Sequence, residues 1–152
     1  MRTRKRQKGF VLIAMAMTMI LLLAVIGLAF DLGRIYIARN EAQVFTDSAA
    51  LTAAARLDGS DAGLARARDA VAKLPMRWNL GTEPFTNVTV EFSADGSHWD
   101  KDPKEASSIT AARVTAPSNT VGIIFLSAAG GPKSLAVPAR SVAQVNPVRL
   151  TE

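Results

Sequence analysis

The stretch "RKRQKGFVLIAMAMTMILLLAVIGLAFDLGR", residues 4–34, decides the architecture. A cluster of cations runs into residues 10–30, which carry no charge, and the run ends at Asp31. At about 1.5 Å per residue, a helix over that run reaches roughly 31 Å, the depth of a ~30 Å hydrocarbon core. A removable secretory signal has an apolar region of only about 7–15 residues, followed by a small-x-small cleavage site. This run is longer, and Asp31, Leu32, Gly33, Arg34, Ile35 and Tyr36 continue it as helix. It reads as a retained transmembrane helix whose first partner is membrane lipid.

Charge orients that helix. Arg2, Arg4, Lys5, Arg6 and Lys8 precede the span; only Arg34 and Arg39 follow closely, with Asp31 and Glu41 beside them. The positive-inside rule places the head in the cytoplasm and residues 31–152 outside. The formal charge is +5, and all of the excess lies in residues 1–9; the other 13 Lys/Arg balance 13 Asp/Glu. There is thus no basic face to meet nucleic acid. With no cysteine, disulfides, thiolate zinc sites and thiol nucleophiles are excluded. The single histidine, His98, excludes multi-histidine metal sites.

Residues 31–57, "DLGRIYIARNEAQVFTDSAALTAAARL", contain no proline and one glycine. Alanine, the best helix former, dominates their second half. Asp58-Gly59-Ser60 supplies a stop. The simplest expectation is one helix of about 48 residues, roughly 72 Å long, with Gly33 as a candidate kink. Its outer half has apolar or small residues all round. One stripe is Leu32, Ile35, Ala42, Phe45 and Ala49; another is Ile37, Val44, Leu51 and Ala55. A third is Tyr36, Asn40, Gln43, Asp47, Ala50, Ala54 and Leu57. A helix covering one small domain needs a single apolar stripe, so surface is left for other neighbours, unless the alanines simply face water. Ala29 and Gly33 form a small-xxx-small pair suited to close helix contact.

Beyond the stop, residues 61–74 read as a short amphipathic helix closed by Pro75, with Leu64, Ala67, Val71 and Leu74 on one face. The period then changes. Val88, Val90 and Phe92 alternate with Thr89, Glu91 and Ser93, as in a half-buried strand. Residues 108–116 and 134–145 read as further strands, and Pro138 places the last at an edge or a bulge. The apolar run at 119–131 is expected as a short helix or turn pressed on the sheet. The fold expected is α+β: a long transmembrane helix continuing as a spine packed on a small antiparallel sheet, with one short extra helix.

Chemistry-bearing residues are sparse. His98 sits in the polar loop "DGSHWDKDP" without a nucleophile elbow, and reads as solvent-facing. Asp95, Asp100 and Asp102 lack the EF-hand spacing. Trp99 is expected to anchor that hairpin. Neither catalytic residues, nor a metal set, nor a cofactor site is expected. Asp31 and Arg34, three residues apart, can pair at the membrane surface. Gln43 and Asp47 are i,i+4 neighbours that need partners if they lie under the sheet.

"KGFVLI" resembles the processing site of type IV prepilins and pseudopilins: a basic leader, a glycine, then phenylalanine opening an apolar helix. The resemblance implies prepilin-peptidase cleavage between Gly9 and Phe10 and methylation of the new amine. Those proteins normally carry glutamate at the fifth mature position, where this chain has Ala14. "DLGRIYIARNEAQVFTDSAALTAAARL" is more specifically similar to TadE/TadG-like proteins of tight-adherence (Flp) pilus assembly. Their D-x-G-R and Q-x-x-x-D-x-A-A-L pattern falls on Asp31, Gly33, Arg34, Gln43, Asp47, Ala49, Ala50 and Leu51. Asp31, Gly33, Arg34, Gln43 and Asp47 are then candidate assembly residues.

The chain is expected to divide into a basic head or leader (1–9), a transmembrane helix (10–30), its extracytoplasmic continuation (31–58) and a small α+β head domain (59–152). The resemblance implies a minor pilin-like subunit in the bacterial inner membrane, partnered by other pilin-like or assembly subunits. The rival reading is a signal-anchored periplasmic enzyme or ligand-binding domain, which would require a pocket with convergent polar groups.

Overall fold

The structure is a computed structural model that describes residues 8–74, 85 and 87–145. The head at residues 1–7 and Pro75 lie outside the described residues. One helix, α1 (Lys8–Ala54), runs 47 residues without a break at Gly33. At ~1.5 Å per residue it is roughly 70 Å long. It unwinds through tighter turns, with Arg56 N–H donating to Ala53 and Leu57 N–H to Ala54. Gly59, at φ 78°, then reverses the chain in a conformation that costs other residues a steric penalty. The second helix, α2 (Asp61–Ala72), ends two residues short of the sequence expectation. Ser60 caps it, its Oγ accepting from Gly63 N–H at 3.1 Å.

Three strands follow: β1 (Thr89–Ser93), β2 (Ala111–Gly122) and β3 (Ser134–Gln144). They form an antiparallel sheet in the order β1-β2-β3. A 3₁₀ turn at Ala106–Ser108 precedes β2. Pro138 meets both of its expectations, since β3 is an edge strand and the register shifts between Ala116 and Asn119, opposite Pro138. A residue without an N–H fits there because no ladder bond is asked of it.

The outer half of α1 and the sheet form two layers. Ala49, Ala50, Ala53 and Ala54 pack with Leu64, Val71, Phe92, Ile109 and Val114 in one core cluster. Nearer the span, Ala38 and Ala42 pack with Val121, Val137 and Ala139. Alanine is therefore the contact residue of α1, matched by Ala112, Ala116, Ala139 and Ala143 on the sheet. Small side chains on both sides let the two backbones approach closely, and the solvated-alanine alternative fails on this face.

The expectation for residues 119–131 is corrected. Residues 119–122 extend β2, and a one-turn helix, α3 (Phe125–Ala128), follows. That turn does not press on the sheet; it lies against α1. The β2–β3 hairpin is long enough to carry its tip down beside the apolar part of α1, where its apolar side chains find a neighbour.

Candidate assembly interface

Alpha-helix α1 has two unlike sides. Ala38, Ala42, Phe45, Ala49 and Ala53 face the sheet and are buried. Ile37, Val44 and Leu51, spaced by seven residues, are 49%, 47% and 66% exposed. At about 100° per residue that stripe points roughly away from the sheet. Toward the membrane it continues into Phe30, also exposed. Leu32 is exposed too, unlike Ala42, Phe45 and Ala49 of the same stripe. Ala29 and Gly33 are both exposed, and a Cβ on Gly33 would meet open space.

The D-x-G-R segment is organised differently from the expected pair. Asp31 is buried, yet it makes no ion pair with Arg34. Its carboxylate instead accepts from Ile124 N–H at 3.0 Å and Leu126 N–H at 2.8 Å. Two backbone donors at the start of α3 meet the needs of the acid, so Arg34 is free to turn elsewhere. The Arg34 guanidinium lies 6.0 Å from the Phe30 ring, at the limit of a cation–π contact. Its Nε is buried without a hydrogen-bond partner.

Gln43 and Asp47 lie at the rim of the α1–β3 contact. Asp47 accepts from Gln43 Nε2 at 3.0 Å and from the Ser141 hydroxyl. Gln43 Nε2 also donates to Ser141 Oγ at 3.0 Å, and Thr46 Oγ1 lies 2.8 Å from the same oxygen. Ser141 and Thr46 are buried, and each has a partner, so the cluster satisfies its own polar groups. It pins edge strand β3 to the spine. Both Gln43 and Asp47 remain exposed, so the cluster also presents polar atoms outward. Gly9 and Phe10 stand in the first turn of α1, with Phe10 77% exposed.

The far end of the head is a stapled loop. Arg113 pairs with its cross-strand neighbour Glu91 at 2.8 Å and lies 4.5 Å over the Trp99 ring, so Trp99 anchors the hairpin as expected. His98 is solvent-facing and pairs with Asp95 at 2.6 Å. The hydrogen bond and charge of Asp95 raise the imidazole above its usual 6.5. The same bond, with the backbone N–H groups of His98 and Ser97, holds the Asp95 carboxyl well below 3.8. The raised His98 contributes fully below pH 6.5, and that contribution is lost as pH rises through its folded-state value. The lowered Asp95 contributes above pH 3.8 and loses its share as pH falls. The pair is therefore strongest between those limits. In an NMR titration the His98 midpoint lies above 6.5, and Asp95→Asn returns it toward 6.5. An unchanged midpoint would break the assignment.

Among the described residues no group of three or more His, Asp or Glu is placed to hold a metal. A groove of about 570 Å³ runs beside Phe45, Val71, Phe85 and Val90, with Arg68 and Asn87 as its polar members. Its described lining offers no convergent set of acid, base and nucleophile. Sequence reading missed Gly27, Ser141 and the tip of the β2–β3 hairpin. Gly27 is buried, and a Cβ there would stand 2.6 Å from the Phe125 ring. Within this chain it is Gly27, not Ala29 or Gly33, that makes room for a close neighbour, the Phe125 side chain.

A small antiparallel sheet on the outer half of a helix that is long and apolar enough to cross a membrane defines an α+β protein built on a spine. Residues 9–56 match the family model described as "Putative Flp pilus-assembly TadE/G-like", so this segment of the chain is similar to that family. The matched segment is α1 and the turn that ends it. Searches of curated proteins and of solved structures return no significant match.

Proposed function

We propose that this chain is a minor pilin-like subunit of a Tad/Flp-type pilus assembly system, acting through helix–helix packing and without covalent catalysis. One observation carries the reading: the exposed Ile37, Val44 and Leu51 stripe on the side of α1 that the sheet leaves bare. Exposed apolar residues recurring every second turn outside the lipid span are a surface for another helix. Asp31, Gly33, Arg34, Gln43 and Asp47 have separate parts in this scheme. Asp31 fixes the head against the span, Gln43 and Asp47 fix β3, and Ala29 with Gly33 leaves a shallow place for a neighbouring helix. Residues 10–30 anchor the subunit in the inner membrane, the basic head stays in the cytoplasm, and residues 31–152 lie in the periplasm.

The chain has no cysteine, so single cysteines can be introduced cleanly. In native membranes, Val44→Cys crosslinks to other pilus-assembly subunits, whereas Ser97→Cys on the distal loop does not. Equal crosslinking at both positions, or none at Val44, would remove helix packing as the mechanism. Leader processing is a separate proposal with its own readout. Mass spectrometry of the membrane-derived protein is expected to find an N-terminus at methylated Phe10. An intact Met1 would mean that the Gly9–Phe10 bond is not a processing site.

The rival reading, an anchored enzyme or ligand-binding domain, has in its favour, among the described residues, the groove beside Phe45. The bare stripe on α1 supports the assembly reading instead.

A further inference from the structure

The tip of the β2–β3 hairpin does not stay with the head. Residues 123–131, "IIFLSAAGG", descend along the part of α1 that reads as membrane-spanning. Phe125 packs on Gly27, and its ring lies 5.7 Å from that of Phe30 in an edge-to-face arrangement. Leu126, Ala128 and Ala129 border a notch with Leu23, Ala24 and Leu28. Leu23 lies eight residues before Asp31, so the tip overlaps roughly 12 Å of the apolar helix.

We propose that this hairpin tip is a second membrane-inserted element, a finger that sits in the outer leaflet beside α1 and takes lipid as its partner. The proposal rests on the reading of residues 10–30 as a bilayer span. Three independent features support it. First, the finger exposes apolar side chains: Ile124, Phe125 and Leu126 are 49%, 47% and 40% exposed. No charged residue occurs from 114 to 132, and Lys133 closes the run where a cation reaches the headgroups.

Second, its backbone is prepared for a medium without water. Non-helical chain at membrane depth needs internal partners for its polar groups. Ile123 N–H donates to Lys133, Ala128 to Ile124, Ala129 to Leu126, Gly130 to Ser127 and Gly131 to Leu126. Ile124 and Leu126 N–H donate to Asp31, and the Ser127 hydroxyl donates to Ile124 C=O at 2.8 Å. Exposed apolar side chains over a backbone whose N–H groups largely find internal partners suit lipid better than they suit water.

Third, the surface is continuous with the span. The finger covers Gly27 and Asp31, which are the buried positions in this part of α1, while the neighbouring span residues are exposed. Asp31, the first acid after the apolar run, is thereby screened from lipid by the loop that binds it.

The test uses the full-length protein with single cysteines at Ala128, Ile20 and Ser97, each labelled with an environment-sensitive fluorophore. The protein is reconstituted in phosphatidylethanolamine and phosphatidylglycerol vesicles, and quenching by lipids spin-labelled at shallow and at deep acyl positions is recorded. Ala128 is exposed and small, so the substitution leaves the fold intact. The expected result is blue-shifted emission and lipid quenching at Ala128 comparable to those at Ile20, with neither at Ser97. If Ile20 reads lipid while Ala128 reads water like Ser97, the finger proposal fails and the span survives. If Ile20 itself reads water, the span reading fails and takes the finger with it. Blue-shifted emission at Ala128 that lipid does not quench would mean that a second copy covers the tip, and this too overturns the proposal.

Discussion

Phe45→Ala is expected to destabilise the head by about 3–5 kcal/mol, the range for deleting a fully buried aromatic side chain. Phe45 is 2% exposed and stacks on Phe85 with ring centroids 4.4 Å apart. On α1 it stands between Ala42, in the membrane-proximal core cluster, and Ala49, in the distal one. Its loss leaves a cavity where the other buried apolar residues of this half of the helix are alanines, and alanines cannot move in to fill it. Against a total stability of about 5–15 kcal/mol, such a loss leaves little reserve. The measurement is chemical unfolding of the full chain in micelles, followed by near-ultraviolet circular dichroism. Leu51→Ala, on the bare stripe, is the comparison and is expected to change stability by no more than about 0.5 kcal/mol. If the two variants unfold together, Phe45 is not the keystone of the contact between spine and sheet.

Asp31→Ala is expected to release the hairpin tip while leaving the sheet folded. The substitution removes the acceptor for two backbone donors, Ile124 and Leu126 N–H. A buried donor left without a partner costs about 1–3 kcal/mol. Taking about 2–4 kcal/mol for the pair, hydrogen-exchange protection of those two amides falls roughly 30- to 700-fold. Asp31→Asn keeps one acceptor oxygen and falls between. Residues of the sheet core, such as Val114, retain their protection because Asp31 belongs to neither core cluster. Unchanged protection at Ile124 and Leu126 would show that Asp31 does not hold the tip.

Local chemistry foretells part of this architecture. The long helix follows from the uncharged run and the absence of proline through residue 57. Strand β1 follows from the alternation of Val88, Val90 and Phe92, and Pro138 correctly marks an edge strand with a register shift. The continuation of β2 through residues 119–122 escapes the same method, because an apolar run shows no period that separates strand from turn. The finger escapes for a different reason. Asp31 and its donors lie 93 and 95 residues apart, and nothing local to either end announces the other. The alanines of α1 were ambiguous for a third reason: a methyl group serves equally well on a solvated face and in a tight helix-sheet contact. Gln43 and Asp47 stand out by spacing, but Ser141, which joins them, is one polar residue among several on β3.

The unbroken course of α1 through Gly33 has a mechanical consequence. Residues 31–54 project about 36 Å beyond the apolar run. A rod without a hinge acts as a lever: with residues 10–30 in a bilayer, as proposed, a tilt of about 20°, an ordinary value for a single span, sweeps its outer tip sideways by roughly 12 Å. Small changes in bilayer thickness or in neighbouring helices are thereby magnified into large displacements of the sheet.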